Sequence, residues 1–310
     1  MHSYTKSVPD YEIKAARRIV VVPDVHRDLE KAKLCLRAAG VIDGRGEWKG
    51  EKTVVVQVGD QVDGGDRGPQ VASRKHRCGE ATKEDLSVLR FFNRLHLAAR
   101  KAGGAVLSLA GNHELMNVHG DFSYSGTDGC ETCERARATM FRPGGAAAKL
   151  LATSRVIVLK VGRIVFCHAG LLPWHARAMH PERLNKVFTE HLVGNQVSRP
   201  DIDLFDRVTM QSDGALFNRS YTPSRHVSAS EMDAVLREVD ADHMIIGHNA
   251  HAPGVTPLHG GRVWVVDPGM SSAVMSGRAA VLEIMTLTPR ERRDHPRQPA
   301  PRHSFRVVYA

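Results

Sequence analysis

The chain has 310 residues, of which 42% are hydrophobic and 25% charged, an ordinary composition for a globular protein with a full core. No apolar run approaches the roughly 20 residues that a membrane helix requires, and the N-terminus lacks the apolar segment of a secretory signal. We therefore expect an intracellular, cytoplasmic protein with no membrane partner. The net charge of +9 excludes an acidic chain and favours anionic partners.

Short β-branched runs alternate with helical patterns along the chain, which predicts an α/β fold with largely buried strands. The predicted strands are Ile19–Val22, Thr53–Val58, Ala105–Leu109, Arg155–Leu159, Ile164–Cys167, Met244–Ile246, Val263–Val266 and Ala280–Ile284. Two helices have start signals of the capping-box type. Thr82 with Asp85 precedes a helical pattern that runs to about Lys101, and Ser228 with Glu231 precedes another.

The connection around Gly162 predicts a β-hairpin, so the sheets are expected to be mixed. Residues 60–80 and 117–145 are rich in glycine, arginine and polar residues and are predicted to be long functional loops. We expect one domain at residues 18–287, after an N-terminal extension at 1–17 and before a basic C-terminal tail or final strand at 288–310. The arginines of that last segment have no interleaved aromatic residues, which favours a solvated tail over a nucleic-acid-binding arm.

The five cysteines do not form a pattern that predicts a secreted disulfide framework, because their number is odd and only Cys130 and Cys133 are close together. The C-E-T-C sequence could be half of a zinc site or a redox switch, but no second C-x-x-C completes four zinc ligands. Reduced thiols are the working assumption, and the role of the pair stays open.

Potential metal ligands follow the C-terminal ends of five predicted strands. They are Asp24, His26, Asp60, Asn112, His168 and His248. In α/β sheets the ligand crevice lies outside the carboxyl ends of the strands, so these side chains can converge. Each one alone is usually a turn former or a satisfied polar residue. Together they are oxygen and nitrogen donors without a thiolate, which suits Mn, Fe or Zn.

This number of ligands predicts two divalent metal ions. A carboxylate can bridge cations about 3.5 to 4 Å apart and leave room for a shared hydroxide that attacks phosphorus in line. Asp60 is the predicted bridge, and Asp24 with His26 would complete the first metal site. The second site would be completed by Asn112, His168 and His248. His113 would be the general acid for the leaving oxygen, oriented by Asp63.

The motifs D-x-H, G-D-x-V-D, G-N-H-E, H-A-G and G-H-N, in this order, resemble the phosphoprotein phosphatase family of calcineurin-like metallophosphoesterases. The stretches GNHELMNVHGDF, FRPGG, HAGLLP, LFNRSY and VWVVDPGMS are similar to the Shewanella-like protein phosphatases, and the resemblance spans residues 19–285. It implies a four-layer α/β sandwich of two mixed β-sheets flanked by helices, around two metal ions. It also implies a phosphorylated protein or peptide as substrate, and arginines that clamp the phosphate, with Arg219 of LFNRSY at a matching position.

Two motifs depart from the family pattern. The usual G-D-x-H-G is P-D-V-H-R here, so both ligands survive and both glycines are lost, and Arg27 would either crowd the cleft or contact phosphate. Gly64 stands where a phosphate-binding arginine is expected, which leaves Arg67 or Arg27 as the candidate replacement. Loss of one charge-assisted hydrogen bond costs about 1.5 to 3 kcal/mol, which slows an enzyme without abolishing its chemistry.

The sequence therefore predicts a metal-dependent phosphomonoesterase that acts as a protein phosphatase. A hydrolase of dinucleoside polyphosphates would use the same chemistry and is one alternative, distinguished by its activity on nucleotides. A metal-binding pseudophosphatase that recognises phosphorylated partners without turnover is the other, suggested by Pro23, Arg27 and Gly64. The preference for serine/threonine or tyrosine, the native metals, the oligomeric state and any regulatory subunit stay open.

Overall fold

The structure of the protein is a computed structural model that describes residues 11–65, 79–127, 129–252, 254–297 and 299–310. The strands are β1 Glu12–Ile13, β2 Arg18–Val22, β3 Val54–Gln57, β4 Ala105–Leu109, β5 Arg155–Val156, β6 Val158–Val161, β7 Ile164–Cys167, β8 Tyr221–Thr222, β9 Arg225–His226, β10 His243–Ile246, β11 Thr256–Leu258, β12 Val263–Val265, β13 Ala280–Thr286 and β14 His303–Tyr309. The helices are α1 Leu29–Ala38, α2 Glu80–Lys101, α3 Asn112–Val118, α4 Glu131–Phe141, α5 Ala146–Ala152, α6 Pro173–Ala178, α7 Pro181–Val193, α8 Arg199–Thr209, α9 Ala229–Glu238 and α10 Pro289–Arg293, and a 3₁₀ turn covers His259–Gly261.

Two six-stranded mixed sheets form the centre of the fold. The first sheet has the strand order β1-β6-β7-β10-β12-β11, and the second sheet has the order β14-β13-β2-β3-β4-β5. In the second sheet β2, β3 and β4 are parallel neighbours, and in the first sheet β7 and β10 are parallel neighbours. Parallel strands end at the same edge of a sheet, so each group brings its carboxyl ends together.

The side chains of β2 alternate between two buried layers, as the period of a strand requires. Ile19 and Val21 pack in a cluster with Phe166 of the first sheet, whereas Val20 and Val22 pack in a separate cluster with α1 and α2. A third cluster joins the other face of β7 and β10 to α5, α7 and α9. The layers therefore run helices, sheet, sheet, helices, which confirms the predicted four-layer α/β sandwich.

Most local predictions agree with the structure. Each predicted strand run contains a strand, with Arg155–Leu159 divided between β5 and β6. The hairpin is confirmed by the antiparallel pairing of β6 with β7, and Gly162 in its turn has a φ of +59°, which favours glycine. The cap of α9 is also confirmed, since the Glu231 N–H donates to Ser228 Oγ at 3.2 Å.

Two local predictions are wrong. Thr82 and Asp85 do not form a capping box, because α2 already begins at Glu80 and Asp85 is buried, where it binds arginines of other elements. The segment 117–145 is not a continuous loop, because it contains α4. Tertiary contacts override the local signal in both cases. The other predicted loop falls mainly on residues 66–78, outside the described residues.

The domain boundaries stay a prediction. Near the C-terminal end β14 pairs with β13 along its whole length, from Ala280 opposite Tyr309 to Thr286 opposite His303. None of the described helices is both long and apolar enough to span a bilayer.

His175, near the start of α6, is a buried histidine whose two ring nitrogens have opposite roles. The Leu172 N–H donates to its Nδ1 at 2.9 Å, and its Nε2 donates to the Asp213 carbonyl oxygen at 2.9 Å. A neutral imidazole satisfies both contacts, whereas an imidazolium would turn a second N–H toward the Leu172 donor. Burial accordingly lowers the pKa of His175 to about 4.

We expect the free energy of unfolding to fall as the pH is lowered from about 6.5 toward 4. In this window the unfolded chain binds a proton that the folded His175 does not, because the pKa of His175 falls from 6.5 to about 4 on folding. The loss at pH 5 is on the order of 2 kcal/mol. Urea unfolding of wild type and His175→Gln at pH 7.5 and pH 5 measures it. The variant should show the smaller difference between the two pH values, and an equal difference would contradict this role.

Candidate metal centre

The six predicted metal ligands lie together, where the carboxyl ends of the two groups of parallel strands meet. They are Asp24, His26, Asp60, Asn112, His168 and His248, and all are buried. Four follow strands of the second sheet and two follow strands of the first sheet. The site therefore exists only where both sheets contribute.

Three of these side chains surround the Asp60 carboxylate or the adjacent Asn112 amide. His168 Nε2 lies 3.3 Å from Asp60 Oδ2 and 3.0 Å from Asn112 Oδ1. His248 Nδ1 lies 3.0 Å from the same Asn112 oxygen. His26 Nε2 lies 3.6 Å from Asp60 Oδ2. These distances bring a carboxylate, an amide oxygen and three imidazoles within reach of a common centre.

Two groups of side chains could each hold a cation, and Asp60 belongs to both. The first group is His26, Asp60 and His113, and the second is Asp60, His168 and His248. Within each group the ligand atoms lie within 4.8 Å of one another. A carboxylate shared by two sites is the arrangement that a bridging ligand requires. His113, predicted as the acid, thus lies close enough to His26 and Asp60 to be a ligand.

Asp24, predicted to complete the first metal site, is in neither group but lies beside both. Its Oδ2 accepts the His248 N–H at 2.9 Å, and its Oδ1 has no hydrogen-bond partner among the described residues. Burial and the neighbouring carboxylates of Asp267 and Asp60 raise the pKa of Asp24 well above its usual range. Asp267 was not among the predicted site residues, although it lies in the family-like stretch VWVVDPGMS.

The pKa shifts of Asp60 and His248 favour the forms that bind a cation. Burial alone would raise the pKa of Asp60, but the charges of His168 and His113 hold it well below its usual range. Burial and then the charge of His168 lower the pKa of His248 well below its usual range. Asp60 is therefore ionised and His248 is neutral, and these are the forms that bind metals.

The donor set fits the divalent cations that the family resemblance implies. The buried Asp24 Oδ1 atom has no hydrogen-bond partner among the residues described, and such an atom is costly unless a cation or donor satisfies it. Asp24, Asp60 and Asp267 also crowd three carboxylates into one buried volume. Hard oxygen donors with imidazoles and no thiolate suit Mn, Fe or Zn.

Two glycines allow the carboxylates to approach the backbone closely. A Cβ atom at Gly111 would lie 2.1 Å from Asp60 Oδ1, and one at Gly247 would lie 2.2 Å from Asp24 Oδ1. Neither distance is sterically possible. The glycines of G-N-H-E and G-H-N are therefore required by the packing of the ligand side chains.

Backbone strain is concentrated at this site. Five residues other than glycine have positive φ angles here, namely His26 (+42°), Arg27 (+66°), Asp60 (+50°), Asp63 (+66°) and His248 (+61°). Each such conformation costs on the order of 1 to 3 kcal/mol and persists only where the surroundings enforce it. Strain clustered in this way is typical of a functional site.

Glu114 ties the loops after β3 and β4 together. Its buried carboxylate accepts the N–H groups of Gly111 at 2.6 Å, Gln61 at 2.8 Å, Asp60 at 3.0 Å and Val62 at 3.2 Å. Glu114 was not among the predicted site residues. Its position three residues after Gly111 at the start of α3 has capping-box spacing, which could have identified it.

His113 lies between the ligand cluster and Asp63. Its Nδ1 is 2.9 Å from Asp63 Oδ2, and its Nε2 is 3.8 Å from Asp60 Oδ2. Asn117 Nδ2 donates to the same Asp63 oxygen at 2.9 Å. The ring of the exposed Tyr124 meets the His113 ring edge to face, with the ring centroids 5.1 Å apart.

Arg27 is held inside the protein. Its Nε donates to Asp85 Oδ1 at 2.8 Å, and its NH2 group donates to the Ser125 carbonyl at 2.6 Å. A Cβ atom at Gly64 would lie 2.8 Å from the Cβ of Arg27, so the arginine occupies the space beside that glycine. The two departures from the family motifs are therefore neighbours. This placement favours an internal ion pair for Arg27 over a phosphate contact.

Of the other two predicted phosphate-binding arginines, Arg219 lies within the described residues and Arg67 does not. Arg219 is exposed, and its NH1 group donates to Asn249 Oδ1 at 3.3 Å, next to His248. Arg67 lies outside the described residues.

The Cys130 and Cys133 Sγ atoms lie 2.8 Å apart at the start of α4, and a zinc or redox role for this pair stays a prediction.

Comparison with known proteins identifies the family. Residues 17–252, more than half of the chain, match the family described as calcineurin-like phosphoesterase. The chain is 27% identical to Shewanella-like protein phosphatase 2 of Arabidopsis thaliana, over 86% of this chain and 75% of that protein. It is 26% identical to Shewanella-like protein phosphatase 1 of Plasmodium berghei, over 84% of this chain and 68% of that protein.

A solved structure has the same fold. It is the cold-active protein-tyrosine phosphatase of a psychrophilic Shewanella species, which aligns with a TM-score of 0.71 at 21% identity, over 98% of this chain and 83% of that one. The predicted resemblance and the prediction of an enzyme of the phosphatase class are confirmed by the family match and these relatives. The chain belongs to the calcineurin-like phosphoesterase family.

Proposed function

We propose that the protein is a two-metal phosphomonoesterase that dephosphorylates proteins. The observation that carries this proposal is the Asp60 carboxylate shared by two candidate cation sites, with His113 beside it. The similarity to relatives named Shewanella-like protein phosphatases supports a protein substrate.

Asp24, His26 and Asp60 would hold the first cation, and Asp60, Asn112, His168 and His248 would hold the second. When bound, the two cations supply an activated water nucleophile and neutralise negative charge on the phosphoryl oxygens. Asp60 is charged and His248 is neutral, and these are the ionisation states in which the two side chains bind a cation. Burial excludes bulk water and strengthens each electrostatic contact.

His113 is the proposed general acid. The Asp63 carboxylate accepts from Nδ1 at 2.9 Å, which directs Nε2 toward the ligand cluster. In the imidazolium form Nε2–H donates its proton to the leaving oxygen, and Asp63 stabilises the charged ring until then. An acid of this kind contributes most when the leaving group is a poor one, such as the alkoxide of serine.

Arg219 is the proposed phosphate ligand. It is exposed next to His248, and its contact with Asn249 leaves other guanidinium N–H groups for phosphate oxygens. With Arg27 paired to Asp85, this site has one clamp arginine among the residues described. Fewer clamp contacts favour a weaker affinity for phosphate and leave the proposed chemistry intact.

We expect manganese to raise the melting temperature of the wild type, because a ligand that binds only the folded state stabilises it. Asp60→Asn should abolish most of this rise, since it removes the negative charge shared by both sites. Asp203→Asn, at an exposed position of α8, is the matched control and should respond as the wild type does. Thermal unfolding of metal-stripped protein with and without manganese measures the effect. An equal rise in wild type and Asp60→Asn would contradict the shared site.

We expect the manganese-loaded wild type to hydrolyse an aryl phosphate, and Asp60→Asn to be slower by at least about a hundredfold.

The rate of His113→Asn on a phosphoserine peptide should fall by about 10²- to 10⁴-fold, because general acid catalysis contributes this much to the rate. On p-nitrophenyl phosphate, whose leaving group needs little protonation, the loss should be smaller. Steady-state rates on both substrates measure this.

The substrate panel separates the alternatives. Turnover of phosphopeptides, with tyrosine and serine/threonine peptides compared, supports a protein phosphatase. Preferential turnover of dinucleoside polyphosphates would replace this proposal by a nucleotide hydrolase. Normal metal binding with no turnover of any phosphomonoester would leave a phosphate-recognition protein.

We expect Arg219→Ala to raise the inhibition constant for inorganic phosphate by about 10- to 100-fold, since one charge-assisted hydrogen bond is worth about 1.5 to 3 kcal/mol. Arg199→Ala removes an exposed arginine of α8 and is the control. Competitive inhibition of aryl phosphate hydrolysis measures the constants. If both variants bind phosphate as the wild type does, Arg219 is not the clamp.

A further inference from the structure

We propose that Arg137 is a positioning residue that holds the Asp63 carboxylate, and through it the His113 imidazole, in the orientation required for protonation of the leaving group. The inference deepens the proposed function and rests on it. Arg137 lies on α4, in the segment predicted as a loop, and was not among the predicted site residues.

The guanidinium of Arg137 is fully buried and all of its nitrogens have partners. NH2 lies 2.8 Å from Asp63 Oδ1, NH1 lies 2.7 Å from Asp85 Oδ2, and Nε donates to Asn117 Oδ1 at 2.5 Å. NH1 also donates to Thr82 Oγ1 at 3.2 Å. A guanidinium with this many fixed contacts is rigid, so it can set the orientation of the groups that it touches.

The two oxygens of the Asp63 carboxylate bind different partners. Oδ1 is paired with Arg137, while Oδ2 accepts from His113 Nδ1 at 2.9 Å and from Asn117 Nδ2 at 2.9 Å. The Asp63 N–H also donates to Asp85 Oδ1 at 3.1 Å. The carboxylate therefore cannot rotate without breaking a contact on each side. Asn117, anchored by Arg137, adds a second route by which this arginine fixes Oδ2.

The charges of the network balance. Arg27 and Arg137 face Asp63 and Asp85, and all four are buried. Buried charges are tolerated only when they are paired, and removal of one partner leaves the other uncompensated. Without Arg137, two buried carboxylates would share Arg27, whose guanidinium donates to Asp85 and the Ser125 carbonyl. Arg137 is thus the cation that compensates Asp63 directly.

The test compares Arg137→Lys and Arg137→Gln with Arg155→Gln in the manganese-loaded protein. Arg155 is the matched control, because it is equally buried but its guanidinium contacts Gln61, Asn93 and the Leu89 carbonyl and does not pair with Asp63. Rates are measured on a phosphoserine peptide, which has a poor leaving group, and on p-nitrophenyl phosphate, which has a good one. Thermal unfolding identifies variants that fail to fold. If Arg137→Gln does not fold, Arg137→Lys, which keeps the positive charge, still tests the proposal.

We expect Arg137→Gln to lose about 10- to 100-fold on the phosphoserine peptide and less than about 5-fold on p-nitrophenyl phosphate, because only the former needs a well-aligned acid. Arg137→Lys should lie between wild type and Arg137→Gln, since it keeps the charge but not the planar fork. Arg155→Gln should change both rates by the same factor. The ratio of the two rates is the readout that a purely structural role would not change.

Equal losses on both substrates in folded Arg137 variants would overturn the proposal, as would no loss at all. A second readout does not depend on turnover. In the zinc-loaded protein, ¹⁵N-edited NMR should show a His113 Nδ1–H proton in a strong hydrogen bond in the wild type and in Arg155→Gln, and its loss or upfield shift in Arg137→Gln. If the wild type hydrolyses neither substrate, the proposed function fails while this signal still decides whether Arg137 positions His113.

Discussion

The buried carboxylate of Asp60 is the group around which the site is built. Imidazoles of His26, His113 and His168 surround it, and their charge keeps it ionised despite burial. A buried charge is stable only where donors or cations compensate it. The close approach of Gly111 leaves room for this carboxylate, and Glu114, which accepts the Asp60 N–H, holds the loop that carries it.

The unfavourable free energy of this arrangement is compensated by the rest of the fold. Left-handed backbone at five site residues, crowded carboxylates and two glycine contacts are each unfavourable locally. Two six-stranded sheets with a buried cluster between them and one on each outer face hold these loops in place. Arg137, which is paired with Asp63 and Asp85, supports the side of the site where His113 lies.

Much of the fold and site was predictable from local patterns. β-branched runs located the strands. The rule that ligands lie beyond the carboxyl ends of strands predicted that six side chains lie close together. The family motifs predicted the four-layer sandwich, which is confirmed. Asp85 was misread as a cap, because its spacing from Thr82 fits a local motif while its partners, Arg27 and Arg137, are distant in sequence. For Arg27 the sequence left open whether it crowds the cleft or contacts phosphate, because its partner Asp85 lies 58 residues away.

The sequence by itself determined the strands, the family and the set of candidate metal ligands, because these depend on periodicity and on residue types at short spacing. Only the tertiary structure decided which charges compensate one another. The pairing of Arg137 with Asp63 crosses 74 residues, and that of Arg27 with Asp85 crosses 58. Ion pairs of this kind are selected by burial and distance in the folded chain, and neither quantity is encoded in a local pattern.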